Sequence, residues 1–185
     1  MNYENLVVNP LSADFTISSF DCGDSDLNDF ILSDAKGYLS ELLAVTYLLF
    51  DKSESERVIG YFSLLNDKIS YIPEERSLWN RLNRNVVNAK RRKHYPSVKI
   101  GRLAVDSDFS GIGVGQILID TIKYMFTHGN RTGCRFITVD AYQAAVPFYL
   151  KSGFDFFTTK DANEPTRLMF YDLKKYTTAY KAGSW

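Results

Sequence analysis

The stretch IGRLAVDSDFSGIGVGQILIDTIKYM, residues 100–125, decides the fold of this chain. Its pattern predicts a buried strand, a turn with glycines at three alternate positions, and an amphipathic helix. Gly111, Gly113 and Gly115 would leave a run of backbone amides at a helix N-terminus, where the partial positive charge favours a phosphate group. The same three glycines are also compatible with a tight turn that binds nothing.

The glycine turn departs from two well-known phosphate-binding patterns. A Walker-type loop requires Lys and then Ser or Thr after its last glycine, whereas Gln116 and Ile117 follow Gly115. A dinucleotide fingerprint requires Gly or Ala at the position that Leu118 occupies. The remaining interpretation is a pyrophosphate held by main-chain amides alone.

The rest of the chain predicts one mixed α and β domain, without repeats or long linkers. On the helix after the glycine turn, Gln116, Asp120 and Lys123 are expected on the polar side, opposite the apolar face. A helix at 24–39 has Asp24 or Ser25 as its candidate N-cap. Strands are predicted over 4–11, 42–50, 57–65, 95–106 and 134–141 and over the final runs FDFFTT and TRLMFYDL, with a short helix at 144–153 closed by Gly153. The runs 42–50 and 57–65 are expected to form an antiparallel hairpin across a polar turn.

Composition limits the class of protein. The chain has 185 residues, of which 45% are hydrophobic, enough for a globular core. Cys22 and Cys134 stand in no zinc-binding pattern and form no disulfide framework. Because no signal peptide and no run of eighteen apolar residues is present, we expect a cytoplasmic protein that neither spans nor binds a membrane.

The charges are unevenly distributed along the chain. Nine basic residues and no acidic ones lie between Arg76 and Val105, whereas the remaining 13 basic residues accompany all 22 acidic ones. This acid-free basic segment predicts a polyanionic or acidic partner, although a solvated surface would have the same composition.

Two blocks resemble the GNAT superfamily of N-acetyltransferases. The family's pyrophosphate motif, Gln/Arg-x-x-Gly-x-Gly/Ala, falls on Ser110 to Gly115, with Ser110 in place of Gln or Arg. The stretch VDAYQAAVPFYLKSGF, residues 139–154, is similar to the family's later strand and helix. This resemblance implies an α+β fold with a central mixed, mostly antiparallel twisted sheet of six to seven strands flanked by helices. It also implies a single N-acetyltransferase domain over 1–185. A basic helical insertion is predicted at about 73–95, because Leu78, Leu82 and Val86 lie at helical spacing there.

The resemblance narrows to one branch of that superfamily. The stretches FDCGDSDLNDFI, LAVTYLLF and YPSVKIGRLAVD look like the toxins of bacterial toxin–antitoxin pairs. Members of that branch acetylate the α-amino group of aminoacyl-tRNA and are held inactive by a ribbon-helix-helix antitoxin. The resemblance therefore implies tRNA contacts through Arg91, Arg92 and Lys93, and the aromatic C-terminal segment 176–185 leaves room for a homodimer.

The resemblance also implies a site for acetyl-CoA without a metal. The proton donor to the departing thiolate would be Tyr149, and a β-bulge within Gly101–Val105 would present a backbone N–H to the acetyl carbonyl. The acetyl-CoA contacts would come from Leu103, Ala104, Val105, Ser110, Gly111, Ile112, Gly113, Val114, Gly115, Gln116 and Phe148.

Two alternative functions remain open from the sequence. The chain would also suit an acetyltransferase for a small amine or a protein N-terminus, or a non-catalytic module that binds coenzyme A. Asp140 is expected either to orient the substrate or to cap the next helix. His94 and His128 are expected at the surface, and a reactive thiolate at Cys22 is not expected in its Asp-rich loop.

Overall fold

A single seven-stranded sheet organises the part of the chain that the structure describes. The computed structural model describes residues 5–52, 57–84, 86, 92–129 and 132–181. The strand order is β1-β2-β3-β4-β5-β7-β6. The strands are β1 Leu6–Pro10, β2 Val45–Asp51, β3 Val58–Ser70, β4 His94–Val105, β5 Phe136–Tyr142, β6 Asp155–Phe156 and β7 Thr166–Asp172.

Helices accompany the sheet at intervals along the chain, and the predicted α+β class is confirmed. The helix C-terminal to β7 was not predicted, although Leu173 and Tyr176 lie at helical spacing and are both buried. The helices are α1 Ser25–Asp29, α2 Ala35–Ser40, α3 Arg76–Asn83, α4 Val114–Thr127, α5 Val146–Lys151 and α6 Leu173–Lys181.

The strand pairing is mostly antiparallel, as expected. Strands β1 and β2, β2 and β3, β5 and β7, and β6 and β7 pair in antiparallel register. The predicted hairpin of β2 and β3 is present, with a register shift between Leu49 and Phe50. Strands β4 and β5 are neighbours connected through α4, and a helical crossover is the connection that parallel neighbours need.

The chain divides into two compact units of opposite charge. The acidic unit, Met1–Leu65 with Ile100–Ile122, contains 14 acidic and 4 basic residues, a formal charge of −10. The basic unit, Asn66–Lys99 with Lys123–Trp185, contains 8 acidic and 18 basic residues, a formal charge of +10. The net charge of zero therefore results from two units whose charges cancel.

The core of the acidic unit is built around the helical segment from α1 to α2. Asp24 is the N-cap, since its carboxylate accepts a hydrogen bond from the Leu27 amide at 3.2 Å. A π-helical turn, Phe30–Asp34, separates α1 from α2, and the amide of Ala35 donates to the carbonyl of Phe30 five residues back. Phe30 and Ala35 are both buried beside Tyr61, whose ring stacks on that of Phe30 at 6.1 Å.

The core of the basic unit lies under α3. Apolar periodicity predicted a helix here, and Leu78, Trp79 and Leu82 are its buried residues. The Trp79 ring lies 5.2 Å from that of Tyr95, which in turn contacts Phe136 at 5.7 Å. An aromatic and aliphatic cluster therefore fixes α3 on the sheet residues of this unit.

The helical insertion expected at 73–95 corresponds to two kinds of structure. A short 3-10 turn, Pro73–Glu75, leads into α3, whereas His94 and Tyr95 already belong to β4. Residues 87–91, in the middle of this segment, lie outside the described residues. The assignment of 1–185 to one domain stays a prediction. Among the described residues, no helix combines the length and apolar character needed to cross a membrane.

Candidate active site

The glycine turn of the acidic unit uses a backbone conformation that glycine adopts without strain. Gly111 has a φ of 77° and Gly113 a φ of 95°, and α4 begins at Val114 immediately afterwards. A side chain in this left-handed region meets its own backbone, which costs roughly 1–2 kcal/mol. A Cβ on Gly111 would have no atom within 4 Å, so the backbone conformation rather than lack of space explains the glycine there.

The turn presents donors at the start of α4. The Gly113 carbonyl accepts from the amides of Gln116 at 3.0 Å and Ile117 at 3.3 Å, so the helical hydrogen bonding begins at this residue. The first N–H groups of a helix have no partner inside it. Those of Val114 and Gly115 therefore suit an anion, and the helix dipole adds to the attraction.

A cation that sequence reasoning missed lies beside the same turn. The Arg57 guanidinium lies 3.1 Å from the carboxylate of Asp106, contacts that of Asp108, and covers the Phe109 ring at 4.9 Å from its centroid. Since Ser110 supplies no positive charge, Arg57 offsets the two carboxylates that would otherwise oppose an anion. Arg57 is 49 residues from Asp106 in sequence, and no local pattern could have paired them.

Near its C-terminal end, before the glycine turn, β4 departs from the normal alternation of side chains between the two faces of a sheet. A Cβ on Gly101 would lie 2.8 Å from Leu65, which shares a face of β3 with Tyr61. The next residue, Arg102, places its guanidinium 5.3 Å from the centroid of Phe30, which stacks on Tyr61. Two successive residues thus face the same side, which is the local geometry of a β-bulge.

The three residues after this irregularity, Leu103 to Val105, end β4 and differ in burial. Ala104 is buried, with its carbonyl 2.9 Å from where a Cβ on Gly60 would lie. Leu103 and Val105 are half-buried. Their assignment to the pantetheine arm stays a prediction.

A cavity of about 540 Å³ opens in the acidic unit at the N-terminal half of α4. Gly113 and Gln116, two of the predicted acetyl-CoA residues, contribute to it. Within the described part of the chain, its lining includes one carboxylate, Asp120, and no cation, so the cavity itself is poorly suited to pyrophosphate. The remaining lining residues are Leu6, Val8, Leu49, Ile117 and Thr121.

Tyr149 lies on α5 in the basic unit and is almost entirely buried, with 6% of its surface exposed. Its ring packs edge-on against Phe148 at 5.1 Å and Phe154 at 5.2 Å. Its hydroxyl makes no hydrogen bond with any described residue. Burial raises the pKa of the phenol well above its usual value, so the hydroxyl stays protonated at neutral pH. A protonated, unengaged hydroxyl is what a proton donor needs.

Lys123 contradicts the expectation that it lies on the polar side of α4. It is 5% exposed, and its ammonium donates at 3.0 Å to the Ser152 carbonyl at the C-terminus of α5. The ammonium also lies 4.6 Å from the centroid of the Tyr171 ring. A cation at a helix C-terminus is favourable, and this one fixes the helix that carries Tyr149.

The comparison with protein families agrees with this geometry. The model of a family described as an acetyltransferase (GNAT) domain matches residues 76–174, more than half of the chain. The chain belongs to the GNAT acetyltransferase family. It is therefore an enzyme that transfers the acetyl group of acetyl-CoA, and the family resemblance of the sequence is confirmed.

Solved structures similar in fold to this GNAT chain include a bacterial toxin and the toxin AtaT. AtaT complexed with acetyl-methionyl-tRNAfMet has 23% sequence identity and a TM-score of 0.75 over 95% of this chain and 99% of the other. A tyrosine-to-phenylalanine mutant of KacT has 23% identity and a TM-score of 0.75 over 94% and 98%. An AtaT mutant bound to acetyl-CoA and the C-terminus of the antitoxin AtaR has 22% identity and a TM-score of 0.73 over 95% and 98%.

The basic segment of this GNAT chain is exposed and carries unneutralised charge. Arg92 and Lys93 are exposed, whereas Arg91 lies outside the described residues. Two cations of the segment are ion-paired, Lys99 with Asp140 and Arg102 with Asp26. Among the described residues, no salt bridge neutralises the following exposed side chains of the segment: Arg76, Arg81, Arg84, Arg92 and Lys93.

The remaining candidate residues take structural positions. Asp140 forms an ion pair with Lys99 on the neighbouring strand, an arrangement that neither predicted role anticipated. His94 is exposed, and His128 stacks on Tyr124 with ring centroids 4.3 Å apart. Within the described ranges, no group of His, Cys, Asp and Glu side chains is arranged to hold a metal.

Neither cysteine has the properties of a nucleophile. Burial, with the nearby carboxylates as a smaller cause, raises the pKa of the Cys22 thiol. Burial raises the pKa of Cys134 to about 11. Both thiols therefore stay protonated at neutral pH, as the sequence predicted for Cys22.

Proposed function

We propose that this acetyltransferase acetylates the α-amino group of aminoacyl-tRNA, as the toxin of a toxin–antitoxin pair. The observation that carries the proposal is the exposed, unneutralised basic surface of α3 and the start of β4. Arginine and lysine side chains without intramolecular partners suit the phosphates of a nucleic acid, whereas a small amine needs no such surface. The structure of AtaT complexed with acetyl-methionyl-tRNAfMet supports the same substrate class for a protein of this fold.

In this proposal, backbone groups of the acidic unit hold the acetyl donor. The amides from Gly111 to Gln116 bind the pyrophosphate of coenzyme A, and Leu103 to Val105 pair with its pantetheine arm. A backbone N–H at the irregularity of β4 donates to the acetyl carbonyl as negative charge develops on its oxygen. Phe148 is a further proposed contact with acetyl-CoA.

Tyr149 then serves as the general acid. The neutral amine attacks the thioester carbonyl carbon, a C–N bond forms, and the C–S bond breaks. The phenol gives its proton to the departing thiolate, and the proton lost by the amine returns to the phenolate through solvent. The products are the N-acetylated amine and coenzyme A, so atoms and charges balance.

A protein partner is also part of the proposal. The structure of AtaT with the C-terminus of AtaR supports an antitoxin for this chain, which we expect to be of the ribbon-helix-helix type. The homodimer and the cytoplasmic location stay predictions.

The deciding experiment measures transfer of a labelled acetyl group from acetyl-CoA to charged tRNA. We expect label on aminoacyl-tRNA and none on uncharged tRNA, because only the former carries a free α-amine. Transfer to a small amine or a protein N-terminus, with none to any aminoacyl-tRNA, would contradict the proposal.

Charge reversal tests the role of the basic surface. Changing Arg91, Arg92 and Lys93 to Glu should raise the KM for aminoacyl-tRNA at least tenfold and leave the KM for acetyl-CoA within twofold. The matched control, Lys151→Glu with Lys160→Glu, alters two exposed lysines of the basic unit that lie outside the segment. An equal effect of both variants on aminoacyl-tRNA would show that only the total charge matters.

A further inference from the structure

A row of polar side chains crosses β3, β4 and β5 within the basic unit. The amide of Tyr71 donates to the carbonyl of Lys93, which sets these two residues side by side. Counting along antiparallel strands from this pair places Asp67 beside Ser97. Thr138 of β5 completes the row, because its hydroxyl donates to the Asp67 carboxylate at 2.5 Å.

Asp67 differs from the other aspartates of this unit in its surroundings. Asp155, Asp161 and Asp172 each pair with a Lys or Arg within 3.0 Å. Asp67 is half-buried, accepts a hydrogen bond from Thr138, and forms no salt bridge among the described residues. Among the described residues, this carboxylate on a central strand of a unit with a charge of +10 thus has no cation beside it.

Ser97 is a second residue of the row whose side chain lacks a partner among the described residues. The residue is 6% exposed, and its hydroxyl oxygen is buried without a hydrogen-bond partner among the described residues. Side chains alternate along a strand, so Ser97 lies on the same face of β4 as Tyr95 and Lys99. A buried hydroxyl without a partner is costly, and a ligand that supplies the missing hydrogen bond would remove that cost.

The neighbouring rows define the surroundings of these three residues. On one side, Ile69, Tyr95 and Phe136 belong to the apolar cluster under α3. On the other side lie Lys99 and Asp140, whose ion-paired side chains are 29% and 44% exposed. The polar row therefore lies between a buried apolar row and a partly exposed ion pair.

We propose that Asp67 and Ser97 bind the amino group of the acceptor in its ammonium form, with Thr138 positioning the Asp67 carboxylate. An ammonium offers three N–H donors and a positive charge, which match a carboxylate without a cation and a hydroxyl oxygen without a donor. An α-amine has a usual pKa of about 7.7–8.0 and is mostly protonated at pH 7, so the acceptor arrives in this form and loses one proton to solvent before the neutral amine attacks. The inference rests on the proposed function only in that the acceptor is a primary amine.

The test is a calorimetric titration of L-methionine methyl ester into the protein saturated with coenzyme A, which prevents turnover. We expect the wild type to bind the ester and to reject its N-acetylated form, which has no ammonium. Asp67→Asn should weaken ester binding at least tenfold and leave the affinity for acetyl-CoA within twofold. The matched control Asp155→Asn removes an exposed carboxylate outside the row and should change neither value.

Absence of ester binding by the wild type, or equal binding by wild type and Asp67→Asn, would overturn the site. Ser97→Ala provides a second variant if Asp67→Asn does not fold, and its ester affinity should fall at least threefold. Ester binding that depends on Asp67, without transfer to any aminoacyl-tRNA, would support this site and contradict the tRNA substrate. Transfer to aminoacyl-tRNA with unchanged kinetics in Asp67→Asn would support the tRNA substrate and contradict this site.

Discussion

The acidic unit and the basic unit offer phosphate groups two different kinds of partner. In the acidic unit, the candidate partners are backbone amides at the N-terminus of α4, beside carboxylates that Arg57 offsets. In the basic unit, they are the side chains of an exposed segment without acidic residues. A main-chain site works in a unit with a charge of −10 because the peptide dipoles do not depend on side-chain charge.

This comparison shows that the net charge of this chain does not predict its partners. A value of zero argues against a nucleic acid only if the charge is spread evenly. Here 18 basic residues gather in one unit, which makes a polyanionic substrate compatible with a neutral protein.

The largest expected effect concerns Tyr149, the side-chain donor proposed in the basic unit. Tyr149→Phe should lower kcat by about 10²–10⁴, the usual contribution of a general acid, with the affinity for acetyl-CoA unchanged. Steady-state kinetics and a direct binding measurement separate these two quantities. Tyr142→Phe, at a tyrosine that is 51% exposed, is the control and should retain activity. A Tyr149→Phe enzyme with normal kcat would assign the proton transfer to another group.

The second effect tests whether the buried Lys123 ammonium stabilises the basic unit. Lys123→Met keeps the length of the side chain but removes the charged hydrogen bond to the Ser152 carbonyl, which contributes about 1.5–3 kcal/mol. Urea denaturation should show a loss of about 2 kcal/mol in the free energy of unfolding. Lys151→Met, on the exposed surface of α5, should cause no measurable change. Equal stability of both variants would show that the Lys123 contact is dispensable.

The third effect compares the salt dependence of the two ligands. Each phosphate contact by a Lys or Arg side chain contributes roughly 0.7–0.9 to the slope of log affinity against log salt. Four such contacts predict a decrease of about tenfold in aminoacyl-tRNA affinity when the salt concentration doubles. Acetyl-CoA, held by backbone amides, should change by less than threefold. Equal slopes would mean that the two units hold phosphate in the same way.

The fourth effect concerns the glycine turn of the acidic unit. Gly111→Ala should weaken acetyl-CoA binding about fivefold, because the strained backbone moves the amides away from the pyrophosphate. Gly129→Ala is a matched control, with a φ of 67° and equally open space. Both variants should lose about 1 kcal/mol of stability, but only the first should lose affinity. Unchanged affinity in Gly111→Ala would remove the turn from the binding site.

The smallest expected effect is a loss of stability at high pH, to which one buried tyrosine of each unit contributes. Burial raises the pKa of Tyr61 in the acidic unit and of Tyr149 in the basic unit. Above pH 10 the unfolded chain loses these protons while the folded protein keeps them. Stability is therefore intact below pH 10 and decreases above it, by at most about 1.4 kcal/mol per pH unit for each phenol. Denaturation of Tyr61→Phe between pH 9 and 11 should show a shallower decrease, whereas an identical slope would contradict this account.

Features set by local chemistry were predictable from the sequence. The Asp24 cap depends on the next three residues, and the left-handed Gly153, with a φ of 87°, depends on the helix it closes. The sheet and its hairpin followed from apolar periodicity. The motif residues around Gly113 lie at a helix start, as the pattern requires.

Features set by tertiary contacts were not predictable. Lys123 has the polar character of a surface residue, and only the C-terminus of α5 and the Tyr171 ring explain its burial. The pairs Arg57 with Asp106 and Lys99 with Asp140 join residues 49 and 41 positions apart. The row of Asp67, Ser97 and Thr138 requires the strand order and register, which the sequence alone leaves open.

The π-helical turn between α1 and α2 has a consequence for how this chain tolerates deletions. Its hydrogen bond spans five residues instead of four, so removing one residue from Phe30–Asp34 would convert it into a regular α-helical turn. Ala35, 1% exposed, would then lie four residues after Phe30 and stay on the same buried face. This turn is therefore a place in the N-terminal helical segment where one residue can be lost without rotating the buried face away from the core.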